Sequence, residues 1–414
     1  MNGLPDHALS PIAPGKTIFI PGTTGELTGL AEALAADPKR AAGVHFCGCF
    51  VPGMNEFDYA GLSPDTRVTT FMLPGAMRTS FSEGRVDLIP QNYFATARTL
   101  AGMTYDVAFA HVAPPDADGT CSLGIASDFT PLAWPNAAHK VLVINPAMPA
   151  MPRGPRLNIA DADTVIEAEM PLVTAAPQAA LSTEIDTIAR TVAQQIPDGA
   201  VLQAGIGGAP GGVWAHLKDH RNLVLKSGMA NDPIRDLAEA GALAPAGHRV
   251  GIAYGSRGFY DYLAASDLAQ FTTTLETHDA SALGTIERFH AINSALEVDL
   301  FGQINVEWQS GRLNSGVGGA PNFIRAALLS PGGRAIIALP ATARKGTISR
   351  IVPRLTCPTA SIPRSDADMI VTEHGVADIR NLGLERRAEA LIAIAAPEFR
   401  DELQQAWSAM RTSF

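Results

Sequence analysis

The sequence predicts an α/β protein of two domains, each a parallel sheet covered by helices on both faces. Three observations carry this expectation. Short β-branched or apolar runs recur along the chain, segments with helical spacing lie between them, and the 414 residues exceed the size at which one hydrophobic core usually stops growing. Taken in order, Thr17–Ile20, Val107–Val112, Lys140–Ile144 and Asp163–Ile166 read as buried strands, because continuous apolar runs of this length suit strands covered on both faces. Leu27–Ala35, Asp186–Gln195 and Gly211–Leu217 have spacing compatible with helices. A boundary is expected in Pro171–Ser182, where prolines and small residues interrupt the pattern, giving domains at 1–178 and 179–414. Each half contains an apolar strand running into an Asp-containing turn, at 108–127 and 290–308, a hint of internal duplication. From Leu382 onward apolar residues return at helical spacing, and Pro397 should divide this stretch into two packing helices.

Composition narrows the function. With 46% hydrophobic and 17% charged residues, the chain has the material for large cores and lacks the signature of disorder. A formal net charge of −10 without a long Lys/Arg run argues against nucleic acid or an anionic membrane as the main partner. Cys47, Cys49, Cys121 and Cys357 form neither a disulfide framework nor a zinc site, so no metal is expected and a reducing cytoplasm suits the chain. The N-terminal segment lacks a basic flank followed by an apolar stretch, and no run is long enough to span a bilayer. A cytoplasmic, membrane-free protein is therefore expected.

Two Gly-rich segments follow strand-like runs, VLQAGIGGAPGG at 201–212 and LNSGVGGAPNFIR at 313–325. Glycine lets main-chain N–H groups approach an anion or a developing oxyanion. Downstream, Arg325, Arg334, Arg344, Lys345 and Arg350 cluster in sequence, which suits a phosphate-rich ligand and equally a solvated basic face.

At AINSALEVDL (291–300), at NSGVGGAPNFIRAALLSPGGRAIIALPATARKGTISRIVP and at MIVTEHGVADIRNLGLERRAEALIAIAAPEFRDEL, the chain resembles the acetyl-CoA hydrolase/transferase family, particularly its 4-hydroxybutyrate CoA-transferase branch. SEGRVDLIPQNYF (82–94), APPDADGTCSLG (113–124) and INPAMPAMPRG (144–154) extend the likeness through the N-terminal half. The resemblance implies two open α/β/α domains of CoA-transferase type with the active site in the interdomain cleft, coenzyme A carried mainly by the C-terminal domain, and a homodimer. It places Gly316, Val317, Gly318 and Gly319 beside the thioester carbonyl, with Gly205, Gly207, Phe323, Arg325 and Lys345 in the CoA-binding region. Coenzyme A or acyl-CoA, with or without a small carboxylate, is then a substrate, and no tightly bound cofactor is implied.

The resemblance also implies a glutamate nucleophile within His-Thr-Glu-Met. Here the segment reads LKSGMANDP, so Gly228 stands at the glutamate's place and offers no carboxylate. A second departure falls at ETHDAS, residues 276–281, where the family has an Asn-containing loop. A histidine near a carboxylate can relay a proton, so Glu276, His278 and Asp279 are candidate catalytic residues, with Lys226 and Ser227 as weaker ones. Three functions stay open: water-dependent cleavage of an acyl-CoA, transfer to a carboxylate through a substitute nucleophile such as Glu276, and acyl-CoA binding without turnover.

Overall fold

The computed structural model describes residues 4–177, 180–205 and 207–412. The first sheet contains β1 (Thr17–Phe19), β2 (His45–Cys47), β3 (Arg67–Thr70), β4 (Val86–Leu88), β5 (Tyr105–Val112), β6 (Ala137–Ile144) and β7 (Thr164–Glu167) in the order β4-β3-β2-β1-β5-β6-β7. All its neighbours run parallel, with Ile18 opposite Phe46 on one side and Val107 on the other. The second sheet contains β8 (Val201–Ala204), β9 (Val224–Ala230), β10 (His248–Ala253), β11 (Ala269–Phe271), β12 (Phe289–Asn293), β13 (Arg334–Ala338), β14 (Met369–Thr372) and β15 (Gly375–Asp378). Its order is β11-β10-β9-β8-β12-β13-β14-β15, parallel except for the antiparallel β15 at its edge.

Counted outward from its first strand, each sheet follows the same plan. The two segments that hinted at duplication begin within β5 and β12, the strands paired beside β1 and β8 in the two sheets. The strands predicted from sequence are present, offset by at most three residues at either end, as are helices at Thr28–Ala36 and Thr183–Ala193; the helix expected at Gly211–Leu217 is instead an α-helix at Gly208–Val213 that tightens into a 3-10 turn at Trp214–His216. Two helices, Leu384–Ala393 and Arg400–Arg411, flank the turn at Pro397–Phe399; Leu403 and Trp407 are buried. No regular element occupies 168–177 or 180–182, between the sheets, while the boundary pair Gln178 and Ala179 lies outside the described residues.

Burial explains the strand composition. All of Val107–Val112 and all of β8, β12 and β14 are buried, as expected for parallel strands with helices on both faces. In each sheet the chain reverses its direction of winding between its first and fifth strands, β1/β5 and β8/β12. Such switch points open a crevice at the carboxyl ends of the strands. Among the described residues no helix is long and apolar enough to cross a membrane.

Candidate active site

A cavity of about 440 Å³ opens between the sheets, and its walls are the carboxyl ends of strands from both halves. Thr23 follows β1, Val51 follows β2 and Met72 follows β3; Gly205 and Gly207 follow β8, Ser227–Met229 end β9, Ile252 lies on β10 and Ser294 follows β12. The halves meet closely here. Tyr93 N–H donates to Gly318 O at 3.0 Å, and a side chain on Gly316 would run into the Phe71 carbonyl.

Gly316, Val317, Gly318 and Gly319 all line the cavity and lead into the helix Ala320–Leu329. Among the described residues, none of these four N–H groups has an acceptor within the chain, leaving them free to face a negative oxygen. Phe323, Gly205 and Gly207 also line the cavity; Ile206 between the two glycines lies outside the described residues.

His278 fills the space at position 228. A Cβ built on Gly228 comes 2.8 Å from His278 Cε1 and 3.1 Å from Nε2, and one on Gly319 would overlap the same ring. The imidazole is 4% exposed, packed against Phe323 at 4.5 Å and edge-on to Tyr93 at 5.4 Å between ring centroids. Thr277 Oγ1 lies 2.8 Å from His278 Nδ1 while donating to Thr273 O. That hydroxyl therefore accepts from Nδ1–H, which assigns the lone pair to Nε2 on the Gly228 and Gly319 side. Burial depresses the pKa of His278 to about 3, so the ring is neutral at physiological pH and a weak base.

The expected trio does not assemble. Glu276 is half exposed and pairs with Arg249 at 3.5 Å. Asp279 caps the helix Ala280–Gly284, accepting from Ser281 N and Ala282 N. Neither lines the cavity, because a one-turn helix at Thr274–Thr277 sends neighbouring side chains in different directions. Of the weaker candidates, Ser227 is buried in the wall and Lys226 is absent from it.

The basic cluster also disperses. Arg325 pairs with Asp366 at 3.0 Å, Arg334 with Asp368 and Asp378 at 3.0 and 2.9 Å, and Arg344 donates to Ser310 Oγ. Arg344 and Lys345 are exposed, and Arg325 and Lys345 stand outside the cavity wall. Arg350 alone of this cluster lines the cavity. It donates to Ala295 O at 3.3 Å, has no ion-pair partner among the described residues, and burial lowers its pKa.

The opposite wall holds a carboxylate that the sequence reading missed. Asp128 is 7% exposed and lines the cavity. Phe129 N donates to Oδ1 at 2.9 Å and Thr23 Oγ1 to Oδ2 at 2.8 Å. Thr23 adopts φ = 51°, a costly conformation for a β-branched residue. Asn55 fixes it there by accepting from Thr23 N at 2.9 Å and donating to Thr23 O at 3.0 Å. Burial outweighs the two hydrogen bonds and raises the pKa of Asp128 to about 6. One sequence signal existed: Asp128 is the sole Asp, Glu, Lys or Arg between Asp118 and Lys140.

Residues 255–407 match the acetyl-CoA hydrolase/transferase C-terminal domain. Over 408 residues the chain is 32% identical to the 4-hydroxybutyrate coenzyme A transferase of Clostridium kluyveri, covering 96% of this chain and 95% of that protein. An acetyl-CoA hydrolase of Candida albicans is 29% identical over 215 residues, 49% of this chain and 40% of that one. Among solved structures, RipA from Yersinia pestis superimposes with a TM-score of 0.89 at 28% identity, covering 99% and 97% of the two chains. The 4-hydroxybutyrate CoA-transferase of Porphyromonas gingivalis gives 0.80 at 26% identity, covering 99% and 96%. A likeness that runs the length of the chain, in sequence and in fold, reaches beyond any one motif: the protein belongs to the acetyl-CoA hydrolase/transferase family and is an acyl-CoA-processing enzyme of the CoA-transferase type.

Proposed function

We propose that this enzyme hydrolyses an acyl-CoA thioester, with water in place of the carboxylate acceptor of a transferase. The observation that carries this reading is the occupation of the space at Gly228 by the neutral ring of His278. An exchange through an acyl-glutamyl anhydride needs a carboxylate at the reacting carbon; position 228 has none, and a side chain there would collide with the imidazole. The thioester carbonyl lies against the N–H groups of 316–319, whose dipoles stabilise the tetrahedral oxyanion. Phe323 packs beside the acyl group, and Arg350 meets an anionic group of the substrate.

The test is a panel of acyl-CoAs assayed for free thiol with and without acetate or succinate. Release of CoA and free acid without an acceptor is the expected result. A competing reading, transfer to a carboxylate, draws on the name of the C. kluyveri relative. It predicts CoA release that depends on the acceptor and yields a new acyl-CoA, and that outcome would replace hydrolysis.

A further inference from the structure

We propose that Asp128 is the general base that activates the hydrolytic water. The inference rests on the hydrolysis reading and adds the residue which that reading lacks. Hydrolysis needs a group that takes a proton from water as it attacks, and the expected trio cannot supply one. Glu276 and Asp279 point away from the cavity, and His278 is too weak a base.

Asp128 meets the requirements by position. It lies in the N-terminal wall of the cavity whose C-terminal wall carries the free N–H groups of 316–319. Each carboxylate oxygen accepts one hydrogen bond, from Thr23 or from Phe129, which fixes the plane of the group and leaves a lone pair on each oxygen for water. The strained backbone of Thr23, clamped by Asn55, has its structural consequence at the Oδ2 contact. Strain held by a buried clamp next to a cavity marks a positioned group.

The ionisable neighbours do not compete for the proton. Burial pushes the Cys49 thiol and the Tyr93 phenol up, so both stay protonated. Burial holds His278 neutral, and Glu26, behind Asn55, is raised by burial but bonded to Asn55 Nδ2 rather than to Asp128. Arg350 is the cation of the cavity wall, on the C-terminal side. With its pKa raised to about 6, Asp128 is mostly ionised at neutral pH yet basic enough to accept a proton.

In the step, a lone pair of the water oxygen forms the C–O bond as Asp128 takes one water proton. The tetrahedral oxyanion collapses, the C–S bond breaks, and the thiolate of CoA takes the proton back from Asp128. The products are CoA thiol and a carboxylic acid, which releases its own proton to solvent.

The experiment compares wild type, Asp128→Asn and Thr23→Val in pre-steady-state hydrolysis of the best acyl-CoA of the panel, from pH 5 to 9, with CoA affinity measured by calorimetry. Wild-type kcat/KM should rise about tenfold per pH unit below roughly 6 and then level. Asp128→Asn should lose about 10²–10⁴-fold in rate, keep its CoA affinity within about threefold and show no limb near 6. Thr23→Val, a positioning variant, removes a stabilising hydrogen bond from the carboxylate, so its limb should move to higher pH with activity recovering there. Asp128→Asn that hydrolyses at the wild-type rate, or a wild-type profile flat from pH 5 to 7, overturns the inference and leaves hydrolysis standing. Hydroxylamine trapping of an acyl group on Asp128 overturns it in favour of a covalent nucleophile. A wild-type enzyme that releases CoA only with an acceptor removes the hydrolysis reading and this inference together. Should Asp128→Asn not fold, the wild-type limb and its displacement in Thr23→Val decide.

Discussion

Placing glutamate at position 228 sets a carboxylate side chain against the ring that occupies its space. Carbon–carbon contacts settle at about 3.5–4.0 Å, whereas a Cβ on residue 228 lies 2.8 Å from His278 Cε1. The ring cannot retreat freely: Phe323 packs at 4.5 Å between centroids, Thr277 holds Nδ1, and Gly319 gives it room on one side only. Overpacking of this kind costs about 1–3 kcal/mol, or roughly 2–4 °C in Tm per kcal/mol for a domain of about 200 residues. Deleting the ring by His278→Ala leaves a void and costs a comparable 2–4 kcal/mol alone, but removes the obstacle to glutamate. The two changes should therefore be coupled, with the double variant more stable than the sum of the single effects by at least about 1 kcal/mol. Urea denaturation of the four proteins, with activity in the presence of acetate measured alongside, completes the cycle. Additivity within about 0.5 kcal/mol, or a Gly228→Glu protein as stable as wild type, would refute the claim that His278 owns this space.

Three further outcomes follow from the same geometry. Arg350→Gln should raise KM for acyl-CoA by about tenfold with kcat little changed, since the lost interaction is made equally in ground and transition states; steady-state kinetics check this. Asp128→Asn should stabilise the fold at pH 7. The carboxyl pKa rises from an unfolded value of about 3.9 to about 6, so between these values the native state binds more protons and wild-type stability falls as pH rises. The gain should reach about 2–3 kcal/mol above pH 6 and vanish below about pH 4 in urea titrations at several pH values. His278 has the opposite sign: its folded pKa of about 3 lies below the unfolded value of about 6.5, so its contribution is lost as pH falls through that window. His278→Gln should accordingly be less acid-sensitive than wild type in thermal melts at pH 4 and 7.

The sheets were legible because their strands carry short apolar runs, as at Val107–Ala110 and Val141–Ile144, and because Gly, Pro and polar residues bound them. The Gly-rich segment 313–325 was legible for the same chemical reason that it lines the cavity: its backbone has to approach other atoms closely. Adjacency in sequence misled the reading at Glu276 and Asp279, although an Asp before Ala-Ser-Ala is an N-cap signal. It misled again at Arg334, whose partner Asp368 sits on the neighbouring strand β14's approach, 34 residues away. Asp128 was missed for a deeper reason. Its isolation among uncharged neighbours is a signal, but isolation alone does not separate a buried acid from a surface one; its burial and its Thr23 clamp arise only when the segment after β1 and the loop after residue 122 meet.

The duplicated sheet order gives that meeting a cause. Each half places its switch point at the carboxyl ends of its first and fifth strands, and packing the halves with these ends facing one another makes one shared cavity from two crevices. The two halves differ in what they present there. The segment after β1 offers Thr23, held at φ = 51° over Asp128, while its counterpart after β8 offers Gly205 and Gly207, so one wall supplies a fixed hydroxyl and carboxylate and the other supplies open backbone. Placing a glutamate on the open wall would set a second carboxylate in the cavity that already holds Asp128, and like charges in one site raise the pKa of at least one of them. The glycine at 228 and the buried acid at 128 thus fit a single electrostatic arrangement, in which the cavity wall carries one carboxylate among its described residues and the space beside Gly228 is filled by a neutral ring.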